Sequence, residues 1–145
     1  MNTMKAILIS KHGGAEALER RDDVPRPTLR PDGVLVRVEA VALNHLDIWV
    51  RKGVPGHKFP LPMIPGCDFS GTIEAVGELV TNAKPGQRVA VAPGFADPLS
   101  PQAIAGMDHL ARDYGIFGET RNGGCAEFCD VPARNLLPMP DWMSF

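Results

Sequence analysis

Only three of the 145 residues are cysteines, Cys67, Cys125 and Cys129. An odd number without framework spacing excludes a disulfide-stapled fold and points to a reducing compartment. In an extended strand Cys125 and Cys129 would stand ~13 Å apart, four steps of about 3.3 Å, so they are expected as two core thiols on one face rather than a bonded pair. No apolar run approaches the ~20 residues that cross a bilayer, and Met1-Asn-Thr-Met-Lys-Ala-Ile leads into a strand pattern without a cleavable leader. No membrane association and a cytoplasmic location are therefore expected. An excess of one charge is missing too, with 15 basic and 17 acidic side chains and a formal net charge of −2. Without a basic run interleaved with aromatics, no nucleic-acid partner is expected.

What the chain has in quantity is proline, 14 residues, and glycine, 15 residues. Both interrupt helices, and together they fit many short strands joined by turns. A composition 44% hydrophobic and 22% charged suits one globular core, so a single domain over 1–145 is expected.

Residues 5–10 read as an apolar strand, His12-Gly-Gly14 as its turn and 17–21 as a return strand. Three prolines between Pro25 and Pro31 make the next segment extended surface chain. In 34–42, Val34, Val36 and Val38 alternate with Leu35, Arg37 and Glu39, and this period of two marks the clearest strand. Residues 44–52 fit a short helix, with Asn44 as N-cap, Asp47 near the positive end and Gly53 as the stop. The proline-rich loop 54–65 suits a substrate wall. Further strands are expected from Phe69 towards Val80 and at 88–92, 123–131 and 135–137, with one or two helical turns in 102–112.

The segment Ile64-Pro-Gly-Cys-Asp-Phe-Ser-Gly71 sets Cys67 beside Asp68 between two glycines. Gly66 and Gly71 permit a tight bend and a close backbone approach, which places the pair at a strand mouth. On residue chemistry alone it is either a reactive pair or a bend with a buried thiol and a solvated carboxylate.

Several motifs follow in order: Ala42-Leu-Asn-His-Leu-Asp-Ile-Trp-Val-Arg-Lys-Gly53; Gly66, an acid at 68 and Gly71; Val76-Gly77; Pro85-Gly86-Gln87-Arg88-Val89; and Gly123-Gly-Cys-Ala-Glu-Phe128. Together they resemble the signature of the medium-chain dehydrogenase/reductase superfamily, which includes zinc alcohol dehydrogenases and zinc-free quinone oxidoreductases. The resemblance implies a mainly β fold with short helices (β-rich α+β), a GroES-like, partly open β-barrel. In that family a Rossmann domain holds the nicotinamide dinucleotide, and no strand leading into Gly-x-Gly-x-x-Gly occurs here. The expectation is the N-terminal catalytic domain alone, with NAD(P)H bound through the missing domain.

Zinc members of the family hold the metal with Cys, His and Cys, with a Glu nearby. The first ligand position falls on Asn44, whose neutral amide is a poor zinc donor, the second on Cys67, where Gly-His-Glu becomes Gly66-Cys67-Asp68, and the third would lie beyond Phe145. The resemblance thus implies no catalytic zinc; if zinc is bound, Cys67, Asp68 and His45 are its ligands. Residues 95–114 lack the cysteines of the family's structural zinc, which is expected to be absent. Reduction of a quinone or a conjugated carbonyl needs no metal if hydrogen-bond donors hold the charge that develops on oxygen. By position, Asn44, Asp47 and Asp68 are the implied catalytic residues, His45 and Leu46 the cofactor contacts, and Trp49 and Cys67 the substrate pocket. Plainer roles stand beside these: His45 bonded to backbone at the helix start, Asp47 serving only the first turn, and Trp49 and Tyr114 packing.

The activity implied for the parent protein is NAD(P)H-dependent reduction of a small-molecule quinone or conjugated carbonyl, the 145-residue chain being inactive alone and a homodimer left open. Two readings compete with it. One is a zinc-dependent alcohol dehydrogenase with altered ligands, the other a non-catalytic GroES-like binding or assembly domain.

Overall fold

The computed structural model describes residues 2–145. Strands β1 (Thr3–Ile9) and β2 (Leu18–Pro25) form an antiparallel hairpin. The alternating valines place β3 (Gly33–Ala42) inside an antiparallel sheet, and α1 (His45–Lys52) follows it directly. Next come β4 (Asp68–Val76), β5 (Arg88–Val91), β6 (Gly94–Phe95), α2 (Pro101–Ile104), β7 (Gly115–Ile116), β8 (Phe128–Pro132) and β9 (Leu136–Pro138). The main sheet has five strands in the order β8-β3-β4-β5-β9, and its edges, β8 and β9, do not pair with each other. This is a mainly β architecture with two short α-helices and sheets that do not close, the partly open form expected of a GroES-like domain.

The inner faces of the sheet meet in one core that includes Val34, Val36, Phe69, Ile73, Val89 and Phe117. Phe117 has no exposed surface and meets Phe69 at 5.6 Å and Phe95 at 5.3 Å between ring centroids, both edge-on. A smaller cluster of Ile9, Val50 and Met63 seats α1 on β1. The strands β3 and β4 approach closely at Gly71, where a Cβ would overlap the Arg37 carbonyl. Only glycine fits at that point of β4.

Three expectations need correction. The strand expected over 123–131 begins only at Phe128. Before it, the N–H groups of Gly123, Gly124 and Cys125 go to the carbonyls of Ile64, Gly66 and Pro65 at 2.7, 2.8 and 2.9 Å, and that of Glu127 to Lys5 at 3.0 Å, while the Glu127 carbonyl accepts the Val38 N–H of β3 at 2.9 Å. Consequently Cys125 and Cys129 do not share a face. Cys129 belongs to the main core, whereas Cys125 packs with the separate cluster of Met4, Ala6 and Ile64. The return strand is also longer than expected, since β2 runs on to Pro25 in register with Thr3. Leu35, on the face of β3 opposite Val34 and Val36, is buried along with them.

Candidate functional site

Helix α1 begins where its sequence signals place it. Asn44 is the N-cap, Arg51 and Lys52 lie in the last turn against the negative end of the dipole, and Gly53, with φ +79°, ends it. Asp47 does more than serve that first turn. Its Oδ2 accepts the backbone N–H of Asn44 at 2.8 Å, while its Oδ1 accepts the backbone N–H of Gly66 at 2.7 Å. One buried carboxylate therefore ties the helix start to the bend before β4, with both oxygens engaged by backbone donors. Gly66 is in the left-handed region, φ +96°, and a Cβ on it would fall 2.9 Å from Cys125 Sγ. The bend thus needs glycine for its conformation and for its contact with Cys125.

The bend delivers Cys67 and Asp68 to the mouth of β4, as the flanking glycines led us to expect. The Asn44 amide meets both. Nδ2 donates to Asp68 Oδ2 in a short hydrogen bond and to Cys67 Sγ at 3.5 Å. Burial pushes the Cys67 thiol up, and the Asp68 and Asp47 carboxylates push it further, so the protonated thiol is favoured. Cys125 is pushed up to about 11, chiefly by burial.

Around this cluster the other expected residues separate. His45 is exposed, with its ring centroid 6.2 Å from that of Trp49. Trp49 is 54% exposed and therefore not a core residue. Leu46 packs against the Ile9–Val50–Met63 cluster, and the Tyr114 ring lies against Gly94. An apolar cavity of about 380 Å³ opens between α1 and the β1–β2 hairpin, lined by Leu18, Leu43, Asn44, His45, Ile48 and Cys125 among others. Neither Trp49 nor Asp68 lines it; Asp68 faces a separate recess with Val41 and Ser70. The structure thus joins Asn44, Asp47, Cys67 and Asp68 and leaves Trp49 apart. Cys125, read from the sequence only as a core thiol, is brought to the site by packing on Gly66, a contact across 59 positions that no local pattern marks.

As for a metal, no three His, Cys, Asp or Glu side chains among the described residues converge to hold one. The set of Cys67, Asp68 and His45 does not come together in that way. No helix among the described residues is long and apolar enough to cross a membrane.

The fold is that of a GroES-like domain, with an amide–thiol–carboxylate cluster at a helix start. The sequence profile of the alcohol dehydrogenase GroES-like domain matches residues 30–141, and the chain belongs to that family, within the medium-chain dehydrogenases/reductases. It is 41% identical over 116 residues to a quinone oxidoreductase of Lama guanicoe, covering 80% of this chain and 34% of the relative. It is 34% identical over 150 residues to an L-threonine 3-dehydrogenase of Rhizobium etli (strain CIAT 652), covering 99% and 41%. Among solved structures it superimposes on an NAD-dependent alcohol dehydrogenase with a TM-score of 0.93 at 44% identity, over 98% of this chain and 41% of that one. A cobalt- and zinc-bound thermostable alcohol dehydrogenase from Pyrobaculum aerophilum gives 0.86 at 32% identity, over 95% and 41%. The chain spans 34% to 41% of the length of these relatives.

Proposed function

We propose that this chain is the acceptor-binding part of an NAD(P)H-dependent reductase of the zinc-free quinone oxidoreductase type, acting on a quinone or a conjugated carbonyl. The observation that carries this reading is the state of the Asn44 amide. Asp47 fixes its backbone and Asp68 holds one amide N–H, while the other rests on the Cys67 sulfur at 3.5 Å. A thiol sulfur is a weak acceptor. An incoming carbonyl oxygen displaces it at small cost and receives a donor already oriented, and that hydrogen bond strengthens as negative charge grows on the oxygen. Asp47 is a positioning residue in this scheme, because both of its oxygens are taken by backbone.

A bound nicotinamide dinucleotide supplies the hydride, and the exposed His45 at the helix start is the contact this chain offers to it. The donor set departs from that of a catalytic zinc because the first ligand position holds Asn44, whose neutral amide is a poor zinc donor.

In the full-length protein, Asn44→Ala should lower kcat for NADPH oxidation with 1,4-benzoquinone about 100-fold, with a smaller effect on KM. A folded variant with unchanged kcat would remove Asn44 from the chemistry. The 145-residue chain by itself should show no turnover.

A further inference from the structure

One dipeptide outside the amide–thiol–carboxylate cluster has a reaction available to it without any partner. Of the five asparagines, Asn122 alone is followed by glycine. In such a pair the backbone nitrogen of the glycine attacks the carbonyl carbon of the asparagine side chain, since no Cβ stands in the way. Asn122 is exposed whereas Gly123 is buried, so solvent meets the side chain and not the attacking nitrogen.

Both reacting groups are tied to one residue of the bend before β4. Asn122 Oδ1 accepts the Ile64 N–H at 3.0 Å, and the Gly123 N–H donates to the Ile64 carbonyl at 2.7 Å. The first bond fixes the side-chain carbonyl, and the second occupies the proton that must leave before the nitrogen can attack. Ile64 is only 2% exposed, which keeps water from taking over either bond. The next residues continue the clamp, with the Gly124 and Cys125 N–H groups on the carbonyls of Gly66 and Pro65 at 2.8 and 2.9 Å. A Cβ on Gly123 would overlap the Gly66 carbonyl oxygen, so the two backbones are in contact.

We propose that Asn122–Gly123 is a self-modification site, closed while the bend is closed and released when the bend opens. The Gly123 nitrogen forms a bond to Asn122 Cγ, and the side-chain nitrogen leaves as ammonia, which closes a succinimide ring. Water then opens the ring at either carbonyl and leaves an aspartate or an isoaspartate. The sum consumes one water and releases one ammonia, with no change of oxidation state. The aspartate still offers Ile64 an acceptor. The isoaspartate lengthens the backbone by one methylene, so the N–H groups of residues 123–125 no longer match the carbonyls of residues 64–66. That product is a bend held open, whatever acceptor the whole protein reduces.

To test this, the folded chain and a free peptide of residues 119–126 are incubated at mildly alkaline pH, and modification is followed by peptide mapping and by released ammonia. Asn122 should react about 100-fold more slowly in the folded chain, the ratio reflecting the population of the open form. Asp47→Ala removes the other side-chain tie on the bend and should raise the rate at Asn122 about tenfold, the worth of a lost hydrogen bond, with the exposed Asn82 unchanged. Because that variant is destabilised, the wild-type chain in urea below its unfolding transition is the second measurement, and the same acceleration is expected there. The separated isoaspartate form should exchange the amides of residues 64–67 faster than the unmodified chain. Equal rates in folded chain and peptide, no acceleration by urea, or unchanged exchange at the bend in the isoaspartate form would overturn the proposal.

Discussion

The bend at residues 64–67 and the excursion at 96–114 are both irregular, yet they are held in different ways. In the bend, Ile64 to Cys67 are all buried, and their backbone groups bond to Asp47, Asn122, Gly123, Gly124 and Cys125, all distant in sequence. In the excursion the bonds are mostly local, as in Ile104 to Ser100, Leu110 to Met107 and Tyr114 to Ala111, and Leu99 and Ile104 remain 79% and 74% exposed. Long-range partners make the bend part of the global fold, whereas local bonds let the excursion open by itself. The site is built on the first kind of segment, and this gives Asn44 a fixed orientation.

Phe117 packs on Phe69 of β4, which follows the bend, and on Phe95 of β6, which leads into the excursion. Phe117→Ala should therefore be the most damaging change, costing about 4 kcal/mol in denaturant titration; a loss below ~1 kcal/mol would mean that the core is not organised around it. Asp47→Ala comes next, at about 3 kcal/mol, because it strips two charge-assisted hydrogen bonds and leaves the buried Gly66 N–H unpaired. It should also raise the hydrogen-exchange rate of residues 64–67 and leave 100–110 unchanged. Equal acceleration in both regions would erase the distinction between them. At the small end, Ile104→Gln should shift stability by no more than ~0.5 kcal/mol, as an exposed site does. A loss of several kcal/mol would show that the excursion is packed in a way its exposure does not reveal.

The parts legible in the sequence are those where local chemistry and final structure agree. The alternation around Val34, Val36 and Val38 located β3, and Asn44, Asp47 and Gly53 located α1 at both ends. Gly66 and Gly71 placed Cys67 and Asp68 at a strand mouth. What local pattern missed depends on remote partners. Residues 123–127 look like strand, but the N–H groups of Gly123, Gly124 and Cys125 are taken by the bend, that of Ala126 by Gly124 and that of Glu127 by β1. For the same reason Cys125 arrives beside Gly66 and not beside Cys129. Asp47 carries an N-terminal acid signal in sequence, while its second oxygen answers a backbone N–H 19 residues away. Trp49 has the composition of a core residue, but it sits on the outer face of α1.

An amide, not a metal, at the start of α1 is the centre of the proposed chemistry, and the metal content of the purified protein is its most direct test. The protein is grown with added zinc, dialysed mildly and analysed by elemental spectrometry beside a Cys67→Ser variant. Only substoichiometric zinc is expected, the same in both. One zinc per chain, lost in the Cys67→Ser variant, would contradict it and make Cys67 and Asp68 ligands of an alcohol dehydrogenase site.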